Sequence, residues 1–261
     1  MKQFLLLISK FTFVPVPKKF SAPYKDLAVA MRFLPVLGLF CGAIMFFSAK
    51  LLVFVPAPVA ALLLVGINIL FGGFYLLKEL MTVADGISGQ PIFPAHLATV
   101  GVEAKKKPVD DKGSVRKNRL HAGKAGLVWG MIWLIVLYAI YLTFFWQNLF
   151  PNIVFLLAPI ISYWFMSWTI YGFYAKAPAW LHNNFSKRDF IIASMLTLLF
   201  IVPFSQINFI IALVVAFFGV YIFASFRQRS VGGLADSCYG AAAAWGQILF
   251  YLAWLTFAQI F

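Results

Sequence analysis

The stretch Ile207-Asn-Phe-Ile-Ile-Ala-Leu-Val-Val-Ala-Phe-Phe-Gly-Val-Tyr-Ile-Phe-Ala-Ser-Phe226 carries no charge, and Arg227-Gln-Arg229 follows it at once. A run of this length matches the roughly 20 residues that a helix needs to cross a hydrocarbon core. Basic residues packed against one end mark the side of the membrane that stays in the cytoplasm. Read outward from here, the chain repeats the same pattern. Apolar runs at Phe33–Val55, Ala57–Leu77, Gly126–Trp146, Ile153–Tyr174, Phe190–Phe204 and Cys238–Ile260 bring the predicted spans to seven. The fifth is short and could continue into the sixth around Pro203.

With the N-terminus inside, the connections sort by charge. Val55–Pro58, Gln147–Asn152 and Ser205–Asn208 carry none. Residues 78–125, Ala175–Asp189 and Arg227–Ser237 are charged throughout, and of the 21 Lys and Arg residues only Lys50 falls toward the opposite face. There its long stem lets the ammonium reach the interface. The reading is therefore an all-α, polytopic helical protein of the cell (cytoplasmic) membrane, folded as a single domain over 1–261. It includes a segment 1–32 with an amphipathic helix and a long cytoplasmic loop, 78–125. That helix would lie on the inner leaflet and end at Pro15 and Pro17. It is not read as a secretory signal, because Lys10 interrupts a short apolar core.

Composition agrees. Hydrophobic residues make up 63% of the chain and charged residues 11%, with a mean hydropathy of +0.91. A soluble domain of 261 residues has no interior large enough for so much apolar surface. The net charge of +13 is explained by positive-inside topology, with a share open to anionic substrate or lipid, and no nucleic-acid partner is expected. Cys41 and Cys238 show no paired spacing, and His96, His121 and His182 are too dispersed for a zinc site. Gly38-xxx-Gly42, Gly126-xxx-Gly130 and Gly240-xxx-Ala244 set small residues one turn apart, the pattern that lets helices approach closely in lipid.

Chemistry is expected at the charged mouth of the bundle. Gly72-Gly73 precedes Glu79 and Asp85, and Gly232-Gly233 precedes Asp236, the two aspartates closing similar hydrophobic-Ala-Asp triplets. Such residues can be solvated helix caps. They can also hold Mg²⁺, which commonly takes one or two protein carboxylates plus waters and substrate phosphates. Arg116, Lys117, Asn118, Arg119 and Lys124 form a basic stretch before the third span. It reads as solvated inside charge or as a phosphate clamp.

These residues carry a resemblance to the cobalamin synthase family, the adenosylcobinamide-GDP ribazoletransferases. Phe11-Thr-Phe-Val-Pro-Val-Pro17 is similar to the family's FTR-x-PVP opening, and Arg32-Phe-Leu-Pro-Val-Leu-Gly-Leu-Phe-Cys-Gly42 to its FPLVGLLIG span. Gly72-Gly73-Phe74 leading to Asp85-Gly86 resembles GG-x-HLDGLAD-xx-DG, and Gly232-Gly-Leu-Ala-Asp-Ser-Cys-Tyr-Gly-Ala241 resembles GG-x-TGD-xx-GA. The departures fall on acidic positions. Counted back from Asp85, the first two family aspartates meet Lys78 and Thr82, with Glu79 one place away. A gapless match sets Ser237, not Asp236, against the C-terminal aspartate, Gln247 stands in place of a glutamate, and Lys117-Asn118-Arg119 alone represents a DSR-x-G loop.

The resemblance implies a Mg²⁺-dependent transfer of adenosylcobinamide-GDP onto α-ribazole or its 5′-phosphate, with release of GMP. Asp85, Asp236 and Arg119 are then the catalytic candidates, and Asp85, Glu79 and Asp236 the metal ligands. Arg116, Lys117, Asn118, Lys124, Gly232 and Gly233 would bind substrate. Membrane lipid, a second copy of the chain or corrinoid-assembly proteins are the further partners to consider. Two rivals stand beside this. One is a catalytically impaired member that serves as an assembly partner. The other is a small-solute transporter, against which the scarcity of polar groups within the spans counts. A CDP-alcohol phosphotransferase is excluded because Asp85-Gly86 continues as Ile-Ser-Gly-Gln.

Overall fold

The computed structural model describes residues 2–12, 24–87, 124–147, 153–173, 180–204, 206–231 and 233–258. Among them there is no β-strand. The helices are α1 (Lys2–Phe11), α2 (Tyr24–Ala30), α3 (Leu34–Leu52), α4 (Ala57–Asn68), α5 (Phe74–Ile87) and α6 (Lys124–Trp146). They continue as α7 (Val154–Gly172), α8 (Trp180–Asn184), α9 (Lys187–Ile201), α10 (Ile207–Val231) and α11 (Asp236–Ala258).

Six helices are long and apolar enough to cross a membrane among the described residues, where the sequence predicts seven spans. The difference is the fifth. Its 15 residues in α9 reach roughly 22 Å at 1.5 Å per residue, short of a hydrocarbon core of about 30 Å. With the 3₁₀ turn Val202–Phe204 it still carries the chain from Lys187 to the uncharged start of α10, so the charge segregation is retained. Pro203 lies in that turn and separates α9 from α10 instead of joining them.

The second span also differs, running from Ala57 to Asp85 and not stopping at Leu77. Its two halves, α4 and α5, join through a π-helical turn, Ile69–Gly73. A turn of this kind accommodates one extra residue and disturbs the hydrogen-bond ladder locally. Here the Phe71 carbonyl accepts a hydrogen bond from Cys41 Sγ at 2.6 Å. The charged segment that was expected to begin as loop at residue 78 is therefore helical as far as Ile87.

α7 and α11 form the centre. Between them they bury Phe155, Tyr163, Phe165, Tyr239, Phe250 and Tyr251. α3 packs along α7, α10 along α11, and α5 bridges α11 and α6. α6 and α10 present exposed apolar side chains such as Ile132, Ile135, Phe218 and Ile222, as lipid-facing helices do.

The small residues explain how the centre closes. A Cβ on Gly38 would stand 2.7 Å from the backbone of Ile160 and Pro159, and one on Gly42 would overlap the Leu156 carbonyl oxygen. Gly126 and Gly130 do the same for α6 against Met81 of α5, and Ala244 is fully buried. One polar pair lies deep between helices, where Asn68 Nδ2 donates to Tyr141 Oη at 2.9 Å.

The N-terminal helix forms as expected but is not simply laid on the leaflet. Leu6, Leu7, Ile8 and Phe11 are buried, and the Phe11 ring meets those of Tyr75 and Tyr163 at 4.3 and 6.1 Å. Ser9 and Lys10 stay exposed. Arg32, at the head of α3, helps to hold this end together. It donates to Gln3 Oε1 at 2.9 Å and lies 3.8 Å from Asp189, whose carboxylate closes a capping box with Ser186.

Candidate functional site

The last turns of α5 meet the first turn of α11 at the charged end of the bundle. Gly240 makes the contact close: a Cβ there would lie 2.7 Å from Cβ and Cγ of Glu79 and 3.1 Å from the Tyr75 ring. Asp236 sits one turn before Gly240 and so shares its face. It lies within electrostatic reach of Glu79, Tyr75 and Tyr239. Lys78 and, from α1, Lys10 act on Glu79 with the opposite sign.

The local backbone explains why Asp236 starts a helix there. Gly233 N–H donates to the Gln228 carbonyl at 3.1 Å, a six-to-one closure of α10. Gly233 itself adopts φ 141°, where a side chain would be strained. Leu234 is buried beneath this turn, and Cys238 N–H bonds back to Ala235 at 2.9 Å. Gly233 thus has a structural task in placing Asp236.

Several buried polar atoms here lack a partner: Asp236 Oδ1, Ser237 Oγ, Tyr239 Oη and Arg227 Nε. A buried acceptor left bare costs about 1–3 kcal/mol, more when charged, and such atoms ask for a water or an ion. Asp236 acts on Glu79 as a like charge, and a cation near both would offset that repulsion and partner the bare oxygen. The pair Glu79–Asp236, with its bare Asp236 oxygen, therefore fits Mg²⁺ by the chemistry of its donors. A third carboxylate does not join it. Among the described residues no three His, Cys, Asp or Glu side chains gather closely enough to hold one ion.

One oxygen of Asp85 is engaged by α6. Its Oδ1 accepts a hydrogen bond from Gly126 N–H at 2.6 Å, which satisfies one of the open donors in the first turn of α6 and places a negative charge at that helix N-terminus. Replacement by alanine is expected to cost about 1 kcal/mol, whereas Asp85→Asn keeps an acceptor oxygen. The check is thermal unfolding in detergent: Asp85→Ala should melt measurably below the parent, and Asp85→Asn should melt close to it.

Lys124 opens α6, and its side chain lies outside the described residues, as do Arg116, Lys117, Asn118, Arg119 and Gly232. Sequence reading missed Lys10, Tyr75 and Tyr239 as neighbours of the carboxylates. The available signal was spacing, since Tyr75 precedes Glu79 by one helical turn.

The family model described as Cobalamin-5-phosphate synthase matches residues 3–93 and 118–255. An Adenosylcobinamide-GDP ribazoletransferase from Alkaliphilus oremlandii (strain OhILAs) is 23% identical over 253 residues, covering 97% of this chain and 96% of that protein. No solved structure matches. The family match takes in both halves of the carboxylate pair and the turn that sets Asp236, and on that extent the chain belongs to the Cobalamin-5-phosphate synthase family.

Proposed function

We propose that the chain joins adenosylcobinamide-GDP to α-ribazole or its 5′-phosphate. The acceptor hydroxyl forms a bond to the phosphorus that carries cobinamide, the bond between the two phosphates breaks, and GMP leaves. The acceptor's proton passes to a base or to water. The observation that carries this reading is the Glu79–Asp236 pair, with its unpartnered buried oxygen, at the charged end of a bundle in this family.

Glu79 and Asp236 are the residues that would hold Mg²⁺. When bound, the ion offsets the charge that builds on the leaving phosphate. Lys10 and Lys78 supply further positive charge near Glu79, and the Arg116–Lys124 stretch would meet the remaining phosphate oxygens. Asp85 positions α6 through Gly126 and acts at one remove from the reaction.

The test is purified protein with adenosylcobinamide-GDP, Mg²⁺ and either α-ribazole or its 5′-phosphate, following GMP by chromatography. The expected result is one GMP per cobalamin formed, with dependence on Mg²⁺. Silence from the folded protein with either acceptor would overturn the reading in favour of an impaired assembly partner, for which the neutral or basic Lys78, Thr82 and Ser237 already argue.

The charged end should face the cytoplasm. In intact cells, a cysteine introduced as Lys112→Cys should resist an impermeant thiol reagent until the membrane is opened. Ready labelling from outside would reverse this orientation.

A further inference from the structure

At the charged end, between α7 and α10 and on other helices than the carboxylate pair, lies a cavity of about 660 Å³. Its wall is aromatic. Trp168 packs on Phe173 at 5.3 Å and on Tyr221 at 6.4 Å, and Phe173 meets Tyr221 at 6.0 Å. Gly172 completes that wall, and the rest of the lining is polar: Ser225, Gln228 and Arg229, all on the last two turns of α10. Arg229 is exposed and makes no ion pair among the described residues.

The flank of the cavity tells which kind of molecule reaches it. Phe218, Ile222 and Phe226 are all more than half exposed on the same helix, on the surface that acyl chains cover. An occupant must then be apolar along α10 and anionic at its head. Tyr and Trp rings at the level of lipid headgroups are favoured for this mixed environment. A guanidinium takes a phosphate in a two-pronged geometry that an ammonium cannot copy. A zwitterionic head would bring its own ammonium to a surface already crowded with cations.

We infer that this cavity is a binding site for an anionic phospholipid, with the phosphate on Arg229 and the glycerol region against Trp168 and Tyr221. The site is separate from the proposed reaction, so its test needs no activity.

The full chain, purified in detergent, is loaded with equal amounts of phosphatidylglycerol and phosphatidylcholine, and retained lipid is counted by native mass spectrometry. Phosphatidylglycerol should be retained in clear preference. Arg229→Gln should lower its retention at least fivefold, Arg229→Lys should lower it less, and Arg188→Gln, an exposed change at the same end of the bundle, should leave it unaltered. Equal retention of both lipids overturns the inference, as does an equal loss from Arg229→Gln and Arg188→Gln. Displacement of the lipid by millimolar inorganic phosphate assigns the site to a soluble phosphate and overturns the lipid source. A melting curve for each variant separates lost binding from lost fold.

Discussion

Asp236→Asn is expected to lower the rate of GMP release roughly a hundredfold, the order seen when a charged group at a metal or phosphoryl site is neutralised without changing its shape. The side chain keeps its volume and one carbonyl oxygen, so α11 should still start at this residue and Gly240 should still seat on Glu79. What is lost is the negative charge that makes a hard cation favourable beside Glu79. The effect should appear mainly as a raised Mg²⁺ requirement, measured by titrating Mg²⁺ at saturating substrate. Ser237→Ala is the companion experiment, since its bare buried hydroxyl can be removed without leaving a new unsatisfied group. It should change turnover less than about threefold, the small range of surface or neutral substitutions. The reverse ranking would return the acidic role to position 237 and remove Asp236 from the site.

The second large effect concerns stability. Gly42→Leu is expected to cost about 3 kcal/mol or more, because the added carbon falls on the Leu156 carbonyl oxygen of α7. A flexible side chain could turn away, but a backbone carbonyl in a central helix cannot. α3 must separate from α7, and the loss spreads to Leu37, Cys41 and Met45, all buried along the same helix. Gly66→Ala provides the opposite sign. A Cβ there meets nothing within 4 Å, and alanine in place of a mid-helix glycine should add about 0.5–1 kcal/mol. Melting temperatures in one detergent would order the variants Gly66→Ala, parent, Gly42→Leu. A Gly42→Leu protein as stable as the parent would contradict the packing of α3 on α7.

Those glycines also show what could be read from the sequence. Length, apolarity and small residues one turn apart are local properties, and they place the long helices and the close contacts at Gly38, Gly42, Gly126 and Gly240. Helix ends are decided by what lies beyond them. Lys78 and Glu79 look like the start of a loop, yet α5 runs on to Ile87 because Leu76, Leu80, Val83 and Ala84 still bury one face. The fifth span is missing from the six long apolar helices because α9 gives way at Val202 to the 3₁₀ turn that holds Pro203.

The candidate site was legible only in its acidic members. The run from Gly73 to Asp85 is one residue longer than the pattern it resembles, and spacing cannot say where a helix takes up the surplus. The partners of Glu79 on α1 and α11 come from opposite ends of the chain. Only tertiary packing brings them together.

The docking of α1 has a consequence for how the protein is made. Synthesis delivers the N-terminus first, but Phe11 rests on Tyr75 and Tyr163, which leave the ribosome much later. Until then Leu6, Leu7, Ile8 and Phe11 have no protein surface to cover them, and the membrane interface is the natural waiting place for such a helix. α1 is thus made well before the surface on which it seats. A bulky group attached to the buried face of α1 would therefore interfere with the closing step of assembly and leave insertion of the spans untouched.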